Sequence, residues 1–235
     1  MTNDTIRVGV LSLQGGVIEH VNMLKKIANV IVKELKSTEQ IKVFDPHGMI
    51  LPGGESTAMA IIAEKDQELF PYLQQLVHSQ KIAVWGTCAG SIMLSNQVDH
   101  QKKGGQSLIG GLEVQISRNY FGRQINSFET TLTLNLHDDQ EEGGASINKM
   151  EFEGIFIRAP AILKTLSDKV HIISDFNHTK PDGTEETVIV AVQQDNMLAT
   201  VFHPELTNDN RFHQYFVDFI IKNNQQQQQQ LNIIK

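Results

Sequence analysis

Short apolar runs alternate with helical patterns along the first half of the chain, and each run closes in a glycine turn. This predicts an α/β fold, a three-layer sandwich with a mixed, mostly parallel central sheet flanked by helices. Two observations carry the prediction. Residues 6–13 are rich in β-branched and aliphatic residues, and 49–51 and 82–85 are apolar throughout, as strands buried on both faces are. Further along, strand follows strand and a hairpin signal appears near the end, which makes the sheet mixed.

The elements follow in order. The run at 6–13 ends in Gln14-Gly15-Gly16, and Val17, Val21, Leu24, Ile27 and Ala28 recur at helical spacing. The run at 49–51 stops at Pro52-Gly53-Gly54. Residues 56–80 then read as a helix with Ser56 as N-cap, broken near Pro71. The run at 82–85 leads through a glycine into a helix over 89–96. Residues 112–116, 130–136 and 154–157 read as strands, and 187–192 with 197–202 as a hairpin around Asp195-Asn196. A last amphipathic helix covers 208–222. The polar, acidic stretch 137–149 reads as a surface loop. No linker or internal repeat divides the chain, so residues 1–222 form one domain. The glutamine run at 225–230 places a disordered tail over 223–235, with helical extension as the weaker alternative.

Composition narrows the function. The chain has 235 residues, 40% hydrophobic and 20% charged, enough to bury a full core. A net charge of −7 argues against general affinity for nucleic acid or anionic membranes. No apolar run approaches the roughly 18 residues of a membrane span, and the start lacks a charged-then-apolar leader. A single cysteine leaves no internal disulfide and no multi-cysteine zinc site. A cytoplasmic protein is the simplest expectation.

The chemistry centres on Gly86-Thr87-Cys88-Ala89-Gly90, a G-x-C-x-G between an apolar strand and a helix. This is a nucleophile elbow with cysteine in place of serine. The helix N-terminus favours a thiolate. A lone intracellular cysteine is more often a core thiol; the elbow reverses those odds. His203-Pro204-Glu205 supplies a base and an orienting carboxylate. In extended chain, residues i and i+2 point the same way, so Glu205 could hold one imidazole nitrogen while the other faces Cys88. On spacing alone a surface turn is about as good a reading. His20, next to Glu19, is the main competitor as base, but neighbours on a helix do not share a face. Gly53-Gly54 could offer backbone N–H groups to an oxyanion, and Glu55 could pair with an ammonium group. Arg118 and Arg158, at predicted strand ends, could each bind a carboxylate in a bidentate manner.

These residues sit in longer segments: GVLSLQGGVIEH (9–20), LPGGEST (51–57), GTCAG (86–90), RNYFGRQINSFE (118–129), FIRAP (156–160) and FHPELT (202–207). Together they resemble the glutaminase subunits of pyridoxal 5′-phosphate synthase, a family of class I, triad-type glutamine amidotransferases. GTCAG and HPE mark only the broad class; the LQG, FGRQ and FIRAP segments are specific to this family. The match runs nearly to the glutamine tail. The second glycine of LQGG, the longer acidic loop and the tail depart from the pattern.

The resemblance implies hydrolysis of L-glutamine to glutamate and ammonia, without a cofactor or metal. By motif, Cys88 is the nucleophile and His203 and Glu205 complete the triad. Gly53, Gly54, Glu55, Arg118, Ile157 and Arg158 fall where the family binds glutamine. Backbone N–H groups of Gly54 and Ala89 would hold the oxyanion. Ammonia would pass to a synthase subunit, with up to twelve of each subunit in the assembly. The Gln14 turn and first helix are candidates for the partner-facing side. Two rivals are a glutaminase serving another acceptor and a non-catalytic binding subunit. The FIRAP and FGRQ segments argue against the first, and the intact Cys88, His203 and Glu205 against the second.

Overall fold

The computed structural model describes residues 5–63, 65–99, 107–118, 120–121, 127–138, 146–180 and 182–233. The first half runs β1 (Ile6–Leu11), α1 (Val17–Leu24), β2 (Val30–Leu35), α2 (Thr38–Phe44), β3 (Gly48–Leu51), α3 (Ser56–Ala63), α4 (Leu69–His78), β4 (Ala83–Thr87), α5 (Ala89–Leu94) and β5 (Ser95–Asp99). The second half runs β6 (Leu112–Ser117), β7 (Ser127–Asp138), β8 (Ser146–Ile157), β9 (Ala161–Thr165), β10 (His171–Thr179), β11 (Glu185–Gln194), β12 (Met197–Thr200), a 3-10 turn (Pro204–Leu206) and α6 (Arg211–Ile233).

The main sheet has the order β2-β1-β3-β4-β12-β11-β9-β6-β5, with β10 paired to β11. From β2 to β12 every pairing is parallel. From β12 through β11 and β9 to β6 the pairings are antiparallel. The mixed, mostly parallel sheet expected from sequence is therefore present. A separate ribbon, β7 with β8, packs its Phe128 and Phe156 against Phe176 of β10.

Strand β4 shows why there are three layers. Successive side chains on a strand point to opposite faces. Trp85 meets Phe212 and Phe216 of α6, with ring centroids 5.0 and 5.4 Å away. The next residue, Gly86, faces α5: a Cβ there would lie 2.6 Å from the carbonyl carbon of Gly90. One face of β4 is thus covered by α6 and the other by α5.

Several boundaries differ from the sequence reading. The helical stretch after β3 breaks between Ala63 and Leu69, not at Pro71. Asp66 makes the break, accepting hydrogen bonds from the N–H groups of Thr38 at 2.7 Å and Glu68 at 3.2 Å. Pro71 sits in the first turn of α4, where its missing N–H costs nothing. The helix after the elbow stops at Leu94, and β5 follows at once. β2, β9 and β10 were not read as strands. β7 and β8 reach into the expected 137–149 loop, whose residues 139–145 lie outside the described residues.

α6 continues through the glutamines to Ile233, the helical extension named above as the alternative to a disordered tail. Glutamine is a good helix former, no glycine or proline interrupts the run, and extending an existing helix needs no new nucleus. The Gln227 side chain also donates to the Gln80 carbonyl at 2.5 Å. No described helix is long and apolar enough to cross a membrane.

Phe216 is fully buried against Trp85. Phe216→Ala should cost about 3–5 kcal/mol of unfolding free energy, measurable as a lower urea midpoint with unchanged slope.

Candidate active site

Strands β1, β3, β4 and β12 end at one edge of the sheet, where open α/β sheets bind their ligands. A cavity of about 440 Å³ opens there. It is lined by Cys88, Ala89, His203, Glu205, Gly53, Gly54, Glu55, Arg118, Ile157 and Arg158, so every site residue expected from sequence reaches it. A larger groove of about 1040 Å³ lies at the opposite strand ends, near Ile6 and Ile82, and has no cysteine in its lining.

Cys88 follows β4 directly and has φ 47° and ψ −103°. Such a backbone costs about 1–3 kcal/mol and persists only where its surroundings enforce it. The enforcement is visible. The Cys88 N–H donates to the Thr200 carbonyl of β12 at 2.8 Å. The Ser91 hydroxyl lies 2.9 Å from the Gly86 carbonyl and 2.7 Å from that of Thr200. Gly90 lies against β3 so closely that a Cβ would fall 1.9 Å from the Leu51 carbonyl oxygen.

His203 Nδ1 and Glu205 Oε1 are 2.8 Å apart and buried. The pair forms in a 3-10 turn, with His203 at φ −111° and ψ 82°, and not in the extended chain that the i, i+2 argument assumed. The turn is tighter, but it brings the same two side chains together. Cys88 lies on the same side: a Cβ on Gly53 would fall 2.5 Å from the His203 ring and 3.2 Å from Cys88 Cβ. Burial opposes a charged imidazole, yet the bonds to Cys88 and Glu205 and the charges of both outweigh it and raise His203 to about 10. Glu205 is held below the ordinary carboxylate range: burial alone would raise it, but His20 and the His203 hydrogen bond prevail.

The Gly53-Gly54 turn lies beside this pair. A Cβ on Gly53 would come within 2.5 Å of the His203 ring. The Gly53 N–H is already engaged, donating to Thr87 Oγ1 at 2.8 Å. Glu55, not Ser56, caps α3: its carboxylate accepts from the N–H groups of Thr57 at 3.0 Å and Ala58 at 2.7 Å. Slight burial would raise Glu55, but those bonds, with Arg118, lower it. Ser56 instead accepts from Arg118 Nη2 at 2.9 Å. Arg118 Nε has no hydrogen-bond partner among the described residues, so the guanidinium keeps donor capacity for an anion. Arg158, the residue after β8, lies in the left-handed region, φ 44°, and reaches the cavity beside Ile157.

Sequence reasoning missed the contacts behind Cys88, His203 and Glu205. His20 is no rival base. It is fully buried, with Nε2 3.4 Å from Glu205 Oε2 and 3.2 Å from Thr87 Oγ1. Its Nδ1 lies 2.9 Å from His213 Nε2 on α6. Gln14 accepts from the Glu55 N–H at 2.6 Å. Nothing in the sequence links positions 20, 87 and 213.

A model of the SNO glutamine amidotransferase family matches residues 10–222. The chain is 55% identical, over 94% of both chains, to the Dictyostelium discoideum protein named "Probable pyridoxal 5'-phosphate synthase subunit pdx2". It is 41% identical to the pyridoxal 5'-phosphate synthase subunit PdxT of Staphylothermus marinus, over 92% of this chain and 100% of the relative. A solved structure described as a glutamine amidotransferase superposes with a TM-score of 0.73 at 34% identity, covering 91% of this chain and 98% of its own.

The lowered Glu205 has a consequence for acid stability. Its folded pKa lies below the unfolded value near 4.5, so the unfolded chain binds more protons as pH falls. The stabilisation is present above about pH 4.5 and is lost as pH drops through the depressed folded value. Glu205→Gln should therefore lose less stability than wild type between about pH 6 and about pH 3 in urea titrations.

Proposed function

The chain belongs to the SNO glutamine amidotransferase family, and from that premise we propose that it hydrolyses L-glutamine with Cys88, His203 and Glu205 as its triad. Ammonia goes to the synthase subunit of a pyridoxal 5′-phosphate synthase, as the names of its relatives support. The observation that carries the reading is the strained, buried Cys88 in one cavity with His203, itself held by Glu205 at 2.8 Å, and with Arg118 and Arg158.

The chemistry balances as follows. The Cys88 thiolate, beside protonated His203, attacks the side-chain carbonyl carbon of glutamine. Backbone N–H groups of Gly54 and Ala89 receive the oxyanion. The intermediate collapses, His203 gives its proton to the leaving nitrogen, and ammonia departs from a thioester. Water then loses a proton to His203 and attacks the thioester through a second oxyanion. Glutamate leaves and the Cys88–His203 pair is restored. Arg118 or Arg158 binds the substrate's α-carboxylate. Glu55 has its carboxylate turned to its own helix N-terminus and keeps further lone pairs for the α-ammonium group.

Hydrolysis proceeds within the complex, with glutaminases arrayed on a synthase core of up to twelve subunits. A cytosolic setting suits the reading, since a nucleophilic thiol must stay reduced.

The experiment is ammonia release from glutamine in the presence of the synthase subunit. Cys88→Ala should fall to the assay background while keeping the wild-type circular dichroism and urea midpoint. A folded Cys88→Ala chain with normal turnover would sink the triad assignment.

A further inference from the structure

Glu205 has two carboxylate oxygens, and the triad uses one. Oε1 meets His203 at 2.8 Å. Oε2 is buried and has no hydrogen-bond partner among the described residues. What faces it is His20 Nε2, at 3.4 Å. That is longer than a well-formed hydrogen bond, but a ring N–H edge at this distance still stabilises a buried anion.

The proton on His20 can be assigned from its neighbours. A lone pair on Nε2 would face the Glu205 anion and be repelled. Nε2 therefore carries the hydrogen, and its other neighbour, Thr87 Oγ1 at 3.2 Å, can accept from it. Nδ1 is then the acceptor, and His213 Nε2–H donates to it at 2.9 Å. His213 Nδ1, buried and without a hydrogen-bond partner among the described residues, is the bare nitrogen this tautomer requires. Burial, the first cause in each case, keeps both imidazoles neutral. The groups bearing on His20 are Glu205 and His203 from the turn after β12, His213 from α6, and Glu19 from its own helix; Lys26 bears on His213. The His20 ring is wedged edge-on to Trp85, with centroids 5.4 Å apart at 80°, so it cannot swing away freely.

We propose that His20 is a positioning residue: its Nε2–H fixes the second oxygen of Glu205 and, through Thr87, the Gly53 turn. Thr87 Oγ1 is the acceptor for the Gly53 N–H. One imidazole thus ties the carboxylate that orients His203 to the turn that lies against the His203 ring. His20 touches neither the Cys88 sulfur nor the cavity, whose lining does not include it. The inference rests on the triad reading above.

The test is the pH dependence of Cys88 alkylation by iodoacetamide on the full chain. Compared are wild type, His20→Gln, His20→Asn, His20→Leu and Cys88→Ala. A glutamine amide can reach the position of the imidazole Nε2, whereas an asparagine amide stops short. If His20 holds Glu205, His20→Asn and His20→Leu weaken the hold on protonated His203. The acid limb of the alkylation profile then moves up by about one pH unit, which is about tenfold slower reaction on that limb. His20→Gln should stay close to wild type. Asparagine and glutamine variants that match each other, whether both normal or both impaired, overturn the proposal. If His20→Leu fails to fold, the glutamine–asparagine pair decides alone, provided both keep the wild-type urea midpoint. Cys88→Ala, which lacks the single cysteine, gives the blank, and His203→Ala, added to the series, separates the two readings. If its acid limb matches wild type, the triad reading fails; if that limb is displaced while every His20 variant behaves normally, only the role of His20 fails.

Discussion

The active-site edge depends on three turns that meet backbone to backbone. Gly15, with φ +98°, lies so close to the turn after β3 that a Cβ would fall 1.6 Å from the Gly53 carbonyl oxygen. The Gly16 N–H donates to that same oxygen at 3.0 Å. Gly90 presses on the Leu51 carbonyl with equally little room. No side chain fits at these contacts without moving main chain. The turns after β1, β3 and β4 are therefore locked together by backbone, and the strained Cys88 conformation is held by that lock and by β12. This rigidity keeps the sulfur, the imidazole and the Gly53-Gly54 turn within reach of one small substrate.

On this frame sits a buried charge. Glu205 is almost wholly removed from water, which costs several kcal/mol for an unpaired carboxylate. The structure offsets that cost with His203 on one oxygen and the N–H edge of His20 near the other. His203 in turn shares the cavity with Cys88. The raised imidazole and the lowered carboxylate are two sides of one interaction. Trp85 joins this pair of features to the core. It packs on His20 and His213 at one end and on Phe212 and Phe216 at the other. Core packing behind β4 and the orientation of the triad are thus mechanically continuous.

Much of this was legible because it is local. A glycine–cysteine–glycine elbow after an apolar strand needs only a few contiguous residues to be recognised. The same holds for His203-Pro204-Glu205, although the turn that pairs them is 3-10 and not extended. The parallel first half was legible from its continuous apolar runs. The strands β2, β9 and β10 were not, because they are partly exposed and lack that signature. Pro71 misled as a breaker because a proline in a first turn looks the same in sequence as one in mid-helix. Composition alone does not choose between tail and helix for the glutamine run, because it does not show the preformed helix the run extends.

From its sequence alone, this chain pointed to the proposed nucleophile, base and orienting carboxylate and to the glycines that let them approach. Each is specified by residue type and short spacing. Tertiary structure decided the rest: that Glu55 caps its own helix, that Arg118 leans on Ser56, and that His20 and His213 stand behind Glu205. These contacts join residues far apart in the chain. Their protonation states follow from burial and from the charges around them, and both exist only once the strands have brought those residues together.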